Sequence, residues 1–489
     1  MTPILQRIST RWQSEAGYRQ VLTMAIPLIL STGAWSVQHF VDRMFLTWYA
    51  PEAIAAAMPA GMLNFTVLSF FLGTAGYVNT FVAQYHGSGQ HARIGPALWQ
   101  GIHIAAVGGI ILLGLIPLAR PVFGWIGHEG AIQHNEVVYF QMLCLGAGPA
   151  IASSAMGGFF SGRGKTWPVM WINVLGTAAN LAMDYVLIFG HLGFPELGIR
   201  GAGIATVLST CFSCGIFLAL ILRGKYVRKY NTRSWQLDRG LFARLIRFGA
   251  PNGAQFFIDI AGFTVFILLM GRLGTTPLAA TNIAFNINSL AFMPMIGFGI
   301  AVSVLVGQYL GKGRSDLAER SVYSGFHLTF LYMTTIAALY VLVPNMFLRP
   351  FAAQADAASF AEIRALAVIL LRFVAVYSVF DTLNIIFAAG IKGAGDTRYV
   401  MVMILAVSLL VLVVPSYVVL VLLHRGIYAG WTIASAYIIL MGFAFLFRFL
   451  GGKWKNMRVI EEVPPSLPSM FPEAPVPELD WVSTSTSMG

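Results

Sequence analysis

Charge is what this chain of 489 residues has least of: Asp, Glu, Lys and Arg together make up 10% of it, where a soluble domain spends about a quarter. That shortage excludes an ordinary water-soluble globule, and an apolar fraction of 57% with a mean hydropathy of +0.72 places the chain in a membrane. Cysteine is almost as scarce, with only Cys144, Cys211 and Cys214, all in apolar stretches. The C-x-x-C of Cys211 and Cys214 lies inside LSTCFSCGIFLALIL without a second ligand pair, so it reads as helix packing and not as a metal or redox centre. Alternation of polar and apolar residues is missing from the long runs, which excludes a transmembrane β-barrel. His39, His103 and His327 lack zinc spacing, and no Ser stands in a nucleophile elbow. Gly164-Lys165-Thr166 fails as a phosphate loop because Phe159 occupies the position that needs Gly. The expectation is a protein that is not an enzyme and has no cofactor.

What the chain does have is long apolar runs. They fall near residues 20–47, 53–86, 95–124, 136–161, 167–190, 200–223, 245–271, 276–310, 317–347, 358–390, 397–423 and 425–450, and about 20 residues suffice to cross a bilayer. Arg7, Arg11 and Arg19 precede a first run too long for a signal-peptide core, and no small-residue cleavage site follows, so the segment reads as retained. Sorted by side, 23 of the 31 Lys and Arg fall with the two termini, six fall opposite, and Arg43 and Arg372 lie within spans. This asymmetry orients both termini to the cytoplasm. The net charge of +11 is therefore a topology label and not a sign of a nucleic-acid partner.

The two halves look like copies. Ala25-Ile26-Pro27 recurs as Gly249-Ala250-Pro251, and the V-x-Q-x-x-G-x-G segment Val82 to Gly89 recurs as Val306 to Gly313, both at an offset of 224. The Gly-rich turn Gly162-Arg163-Gly164-Lys165-Thr166 recurs as Gly393-Ala394-Gly395-Asp396-Thr397 at an offset of 231. Six spans per half return each copy to its starting side, so the copies relate by an axis along the membrane normal with a site between them. The fold class expected is an all-α integral membrane protein of twelve transmembrane helices in two pseudo-symmetric six-helix lobes around a central cleft. Its divisions are an N-terminus of residues 1–19, an N-lobe of 20–223, a basic linker of 224–244, a C-lobe of 245–450 and a Pro-rich cytoplasmic tail of 451–489. With six prolines, five acids and no base after Arg458, that tail reads as disordered.

Of the 20 acidic residues, four stand inside spans: Asp42, Asp184, Asp259 and Asp381. An ionised Asp at a helix centre costs about 2.5–3.5 kcal/mol on insertion scales, so these four should face a bundle interior or a wet cavity. Asn180 and Asp184 are four residues apart and share a helix face; with Asp42 and the hydroxyl of Thr206 they could coordinate Na⁺ or hold a proton, or Asn180 and Asp184 could only cap or cross-link helices and Asp42 pair locally with Arg43. Asp259 and Asp381 admit a second cation or proton site in the other half, or each could instead hydrogen-bond a polar neighbour such as Asn252, Gln255 or Asn384 for packing. Gln255, Asn282 and Asn286, with Asn288 beside them, are candidates for lining the cleft.

These residues in this order resemble the multidrug and toxic compound extrusion (MATE) family, in particular its NorM-like branch, over roughly residues 15 to 450. The resemblance rests on Phe40-Val41-Asp42, on the two V-x-Q-x-x-G-x-G segments and on Asn180 and Asp184 followed by Ile188-Phe189-Gly190. Pro195 to Gly198, the G-A-G-I-A-T ending at Thr206, and Asp381 followed by Gly393-Ala394-Gly395 complete it. It implies a first-lobe cation site of Asp42, Asn180, Asp184 and Thr206 and a second-lobe acidic pair of Asp259 and Asp381, with Na⁺ or H⁺ as the coupling ion at either. Asp259 stands where the branch usually has Glu, Arg43 where a small or apolar residue is usual, and Asn282 where Gln is common. The function implied is secondary antiport: export of organic, cationic and amphipathic compounds from the cell across the inner membrane in exchange for Na⁺ or H⁺, by a protein that can act as a monomer. The alternatives are a lipid-linked precursor flippase of the same superfamily, which a cavity with only Arg43 and Arg372 in spans disfavours, and a membrane receptor or enzyme.

Overall fold

The computed structural model of the chain describes residues 10–128, 130–352 and 357–461. Within it, twelve helices are long and apolar enough to cross a membrane: spans 1 to 6 are Tyr18–Tyr49, Pro51–Gly87, His91–Ile126, Gly130–Gly162, Trp167–Phe189 and Ile199–Ile221. Spans 7 to 12 are Arg239–Gly271, Thr275–Gly311, Ser315–Leu342, Phe360–Ala394, Thr397–Leu422 and Ile427–Leu450. No strand occurs among the described residues. Lipid cannot satisfy a backbone N–H or C=O, and a helix satisfies its own, which is why apolar runs of this length fold this way. Span 8, at 37 residues, is about 55 Å long against a hydrocarbon core of about 30 Å, so it tilts or projects beyond the bilayer.

The duplication seen in the sequence is a duplication of packing. In the first half span 4 packs on spans 2, 3 and 6, and span 5 on span 1; in the second half span 10 packs on spans 8, 9 and 12, and span 11 on span 7. The halves join through two equivalent pairs, span 1 with span 8 and span 2 with span 7, and through the ends of spans 2 and 8, which pack on each other. At the second joint the backbones nearly touch: a Cβ on Gly73 would stand 2.8 Å from the Cα of Gly253. Small residues at a lipid-embedded joint let helices approach closely, since apolar burial alone gives little drive there.

Departures from a straight helix have local causes. Pro27, Pro59, Pro149, Pro251 and Pro294 lie inside helices, and each removes one N–H from its helix's hydrogen-bond ladder. Span 2 is interrupted at Tyr77. Span 11 widens to π-helical turns over Ser408–Val413 and Val418–Leu422, on either side of Pro415.

The basic linker and the start of the tail are both folded. In the basic linker, Gly224–Tyr230 is helical; Thr232 closes it by donating from Oγ1 to the carbonyl of Ile221 at 2.7 Å, and Trp99 of span 3 donates to the carbonyl of Thr232 at 2.8 Å. The buried Arg163 guanidinium sits 3.7 Å from the ring centre of Phe159 and 4.7–4.8 Å from those of Tyr230 and Tyr226, binding linker to span 4 by cation–π contact. The tail was expected to be disordered from 451, yet its first residues pack, because they carry apolar side chains with somewhere to go. Trp454 is fully buried, stacks on Phe449 at 4.8 Å and donates from Nε1 to the Phe449 carbonyl at 2.9 Å, while Lys455 pairs with Glu319 at 2.6 Å. The rest of the tail, from 462, lies outside the described residues.

Trp454→Ala should therefore destabilise the purified protein by about 3–5 kcal/mol, the usual range for truncating a buried Trp; a melting curve in detergent indistinguishable from that of the parent would contradict the docked tail.

Candidate functional site

The first-half acids converge. Asp42 on span 1 and Asp184 on span 5 are both buried, at 8% and 0% exposure, in hydrogen-bonding reach of each other. Asn180, also fully buried, stands between them. With its amide nitrogen turned to the carboxylates it donates to Asp42 Oδ1 at 3.0 Å and to Asp184 Oδ2 at 3.2 Å. The helix spacing explains part of this: residues 180 and 184 stack on one face of span 5, and the packing of span 5 on span 1 brings Asp42 to that face. Gln38, one turn before Asp42, places its amide beside that of Asn180, and Thr177 donates from Oγ1 to Gln38 Oε1 at 3.4 Å. Tyr139 of span 4 lies within electrostatic reach of both acids. One oxygen, Asp184 Oδ1, is buried without a hydrogen-bond partner.

Thr206 is not drawn into this cluster by any contact described. Its hydroxyl donates to the carbonyl of Ala202 at 3.0 Å, one turn back on its own helix, a common use of Thr in a membrane span.

The second-half acids are held separately, each with its own amide. Asp259 on span 7 is half-buried and accepts from Gln255 Nε2 at 3.5 Å; the Tyr437 hydroxyl is also in hydrogen-bonding reach. Asp381 on span 10 is buried at 6% exposure and accepts from Asn384 Nδ2 at 2.9 Å. The two carboxylates interact electrostatically, and Asp259 interacts more strongly with Lys392. Asn252 is used elsewhere: it donates to the carbonyl of Gly73 at 2.8 Å across the joint between the halves. Asn282 and Asn286 expose their side chains on span 8, and Asn288 accepts from Ser378 at 3.3 Å.

Some residues with chemical weight escaped the sequence reading. Gln38 is four residues from Asp42, so helical spacing could have found it. Lys392 sits near the end of a span, where sequence alone places it in a loop; the helix in fact continues to Ala394. Glu136 is fully buried near the start of span 4 and pairs with His128 at 2.7 Å. The three cysteines are free, and Cys144 accepts from Asn64 at 3.4 Å as a packed group. Among the described residues no group of three or more His, Cys, Asp or Glu could hold a metal ion, so any cation at either acidic cluster would draw further oxygens from amides, hydroxyls or water.

A twelve-span duplicated bundle that carries two intramembrane acids in each half, three of the four buried, is the architecture of a membrane transporter. The MatE family profile matches the chain twice, over residues 27–186 and 251–418, and the chain belongs to that family, whose members are transporters and not enzymes. Among curated relatives, a protein named probable multidrug resistance protein NorM from Pseudomonas aeruginosa is 31% identical over 389 residues, covering 78% of each chain. One of the same name from Thermotoga maritima is 24% identical over 451 residues, covering 90% of this chain and 94% of the relative. Among solved structures, an outward-facing multidrug resistance MATE transporter of the MOP superfamily superposes with a TM-score of 0.82 at 18% identity, over 92% of this chain and 98% of the other. A MOP superfamily transporter from Pyrococcus furiosus superposes with the same score. At these identities the structural matches concern the fold.

The bridging amide separates two outcomes. Asn180→Leu removes donors from two buried carboxylates and should cost about 1–3 kcal/mol of stability, measured as a lowered melting temperature. Asp42→Asn keeps the shape, removes one of two adjacent charges and should melt no lower than the parent.

Proposed function

We propose that the protein is a multidrug efflux antiporter that exports organic cations of amphipathic character in exchange for Na⁺ or H⁺, with both termini in the cytoplasm and the bilayer being the cell's inner membrane. The observation that carries this reading is the placing of two carboxylates within the spans of each half of a duplicated bundle, three of the four buried, with Asp42 and Asp184 gathered around one amide and Asp184 Oδ1 left without a protein partner. Buried carboxylates that are incompletely hydrogen-bonded offer a place for a cation or proton, and a group that can be neutralised there is a means of biasing one arrangement of the lobes over another. The curated relatives' names, which speak of multidrug resistance, support drug efflux, and the excess of Lys and Arg on the terminal side supports the orientation. Each lobe rocks as a body about the joints of spans 1 and 8 and spans 2 and 7, and the protein works as a monomer because one chain supplies both lobes.

Coupling requires that ion and substrate favour opposite states. Binding of the ion at Asp42, Asn180 and Asp184, or at Asp259 and Asp381, stabilises the arrangement that releases drug, and drug binding stabilises the arrangement that releases the ion. Gln255, Asn282 and Asn286 give the cleft polar contacts among apolar walls.

In proteoliposomes, an imposed Na⁺ or proton gradient should drive movement of a fluorescent organic cation. Asp184→Asn and Asp381→Asn should each reduce it at least ten-fold with normal insertion; full gradient-driven transport by both would exclude these acids as coupling sites. Gradient-independent movement of a labelled lipid-linked sugar, with no response to any organic cation, would favour a flippase.

A further inference from the structure

The two repeated motifs, V-x-Q-x-x-G-x-G and the Gly-rich turn, take no part in the acidic clusters, and the fold brings them together. Gln84, near the end of span 2 and fully buried, donates from Nε2 to the carbonyl of Gly393 at 3.0 Å and, at 3.5 Å, to that of Ala394, at the end of span 10. Its repeat equivalent Gln308, near the end of span 8, donates from Nε2 to the carbonyl of Gly162 at 2.8 Å, at the end of span 4. Gly393 is in turn the repeat equivalent of Gly162. One contact is thus made twice, each half reaching into the glycine turn of the other.

The glycine three residues after each Gln has a matching use. Gly87 lies against the carbonyl of Gln308, and Gly311 against the carbonyl of Gln84, so closely that a Cβ at either would overlap the opposing backbone. The Q-x-x-G spacing therefore sets one amide across the joint and, a turn later, clears room for the partner helix. All four helix ends lie on the side of the bundle that carries the termini.

We infer that these segments form a two-point latch that holds the lobes shut on the terminal side, and that both amide bonds must break before the cleft can open there. Amide and carbonyl carry no formal charge and do not titrate at any physiological pH, so the latch breaks and re-forms without moving a proton, independently of the acids that sense the ion. The two points are unequal. The backbone N–H of Val459 donates to Gln84 Oε1 at 2.8 Å, so the folded start of the tail holds the Gln84 side chain from behind; Gln84 is the stronger point.

The inference rests on the two-lobe transport reading, and its test reads conformation and not transport, so that the two can fail separately. In a variant lacking the three cysteines, spin labels at Ala92→Cys and Asp316→Cys report the separation of the lobes on the terminal side in lipid nanodiscs. Gln84→Glu and Gln308→Glu keep the side-chain shape while removing the donor. Each lost bond should raise the ratio of long-distance to short-distance populations about five-fold, the double variant more than either alone, with Gln84→Glu the larger single effect. Val459→Pro, which removes the tail's N–H, should shift the same ratio in the same direction. An unchanged distance distribution in the folded double variant overturns the latch. If the Glu variants do not fold, an engineered bond decides: a Cβ at Gly307 would lie 2.9 Å from that of Ala83, so Ala83→Cys with Gly307→Cys, after slight relaxation, can form a disulfide across the same joint. Oxidation of that pair should suppress the long-distance population and stop dye transport, with reduction restoring both; persistence of the long-distance population in fully oxidised protein overturns the proposal.

Discussion

A carboxylate inside a lipid-embedded bundle must be answered by polar groups that lipid does not supply, and each of the four intramembrane aspartates has an amide beside it. Asp42 and Asp184 share one amide, Asn180; Asp259 and Asp381 each hold a separate one, Gln255 and Asn384. Asp184 Oδ1 is the one oxygen of the first cluster that no protein group answers. The same constraint governs the scaffold. Ser and Thr throughout the spans return their hydroxyls to a carbonyl one turn back, as Thr23, Thr66, Thr206 and Thr335 do.

Duplication supplied the frame and not the chemistry. Equivalent spans pack on equivalent partners in both halves, and the two glutamines make the same bond in opposite directions. The acids do not follow this symmetry: the first half concentrates two carboxylates around one amide between spans 1 and 5, whereas the second distributes them on spans 7 and 10, with Lys392 as counter-charge to Asp259. The scaffold is thus symmetric in its packing and asymmetric in its charge.

Legibility in the sequence followed the range of the interactions concerned. The twelve spans were readable because each is a local property, an apolar run long enough to cross. Asn180 and Asp184 could be placed on one face because helical spacing is local too. The fate of Thr206 was not readable, since its hydroxyl chooses between a neighbouring helix and its own backbone, and it bonds Ala202. Lys392 looked like a loop residue because charge near the end of an apolar run normally marks a boundary, yet span 10 runs past it to Ala394. The start of the tail looked unstructured because its composition is polar on average; one Trp and one Val with a site to fill were enough to dock it.

The sequence by itself determined the class of molecule, the number of crossings, the duplication and the identity of the acids that lipid would otherwise exclude, because these depend on composition and on spacing within single helices. Only the tertiary structure decided which acids meet: Asp42 and Asp184 stand 142 positions apart and are joined by the packing of span 5 on span 1. It also decided that Gln84 and Gln308 reach the glycine turns of the opposite half, more than 300 and nearly 150 residues away respectively. Contacts of that kind depend on how helices cross, and helix crossing is set by small residues, prolines and close backbone approach acting together, which no single segment of the chain contains.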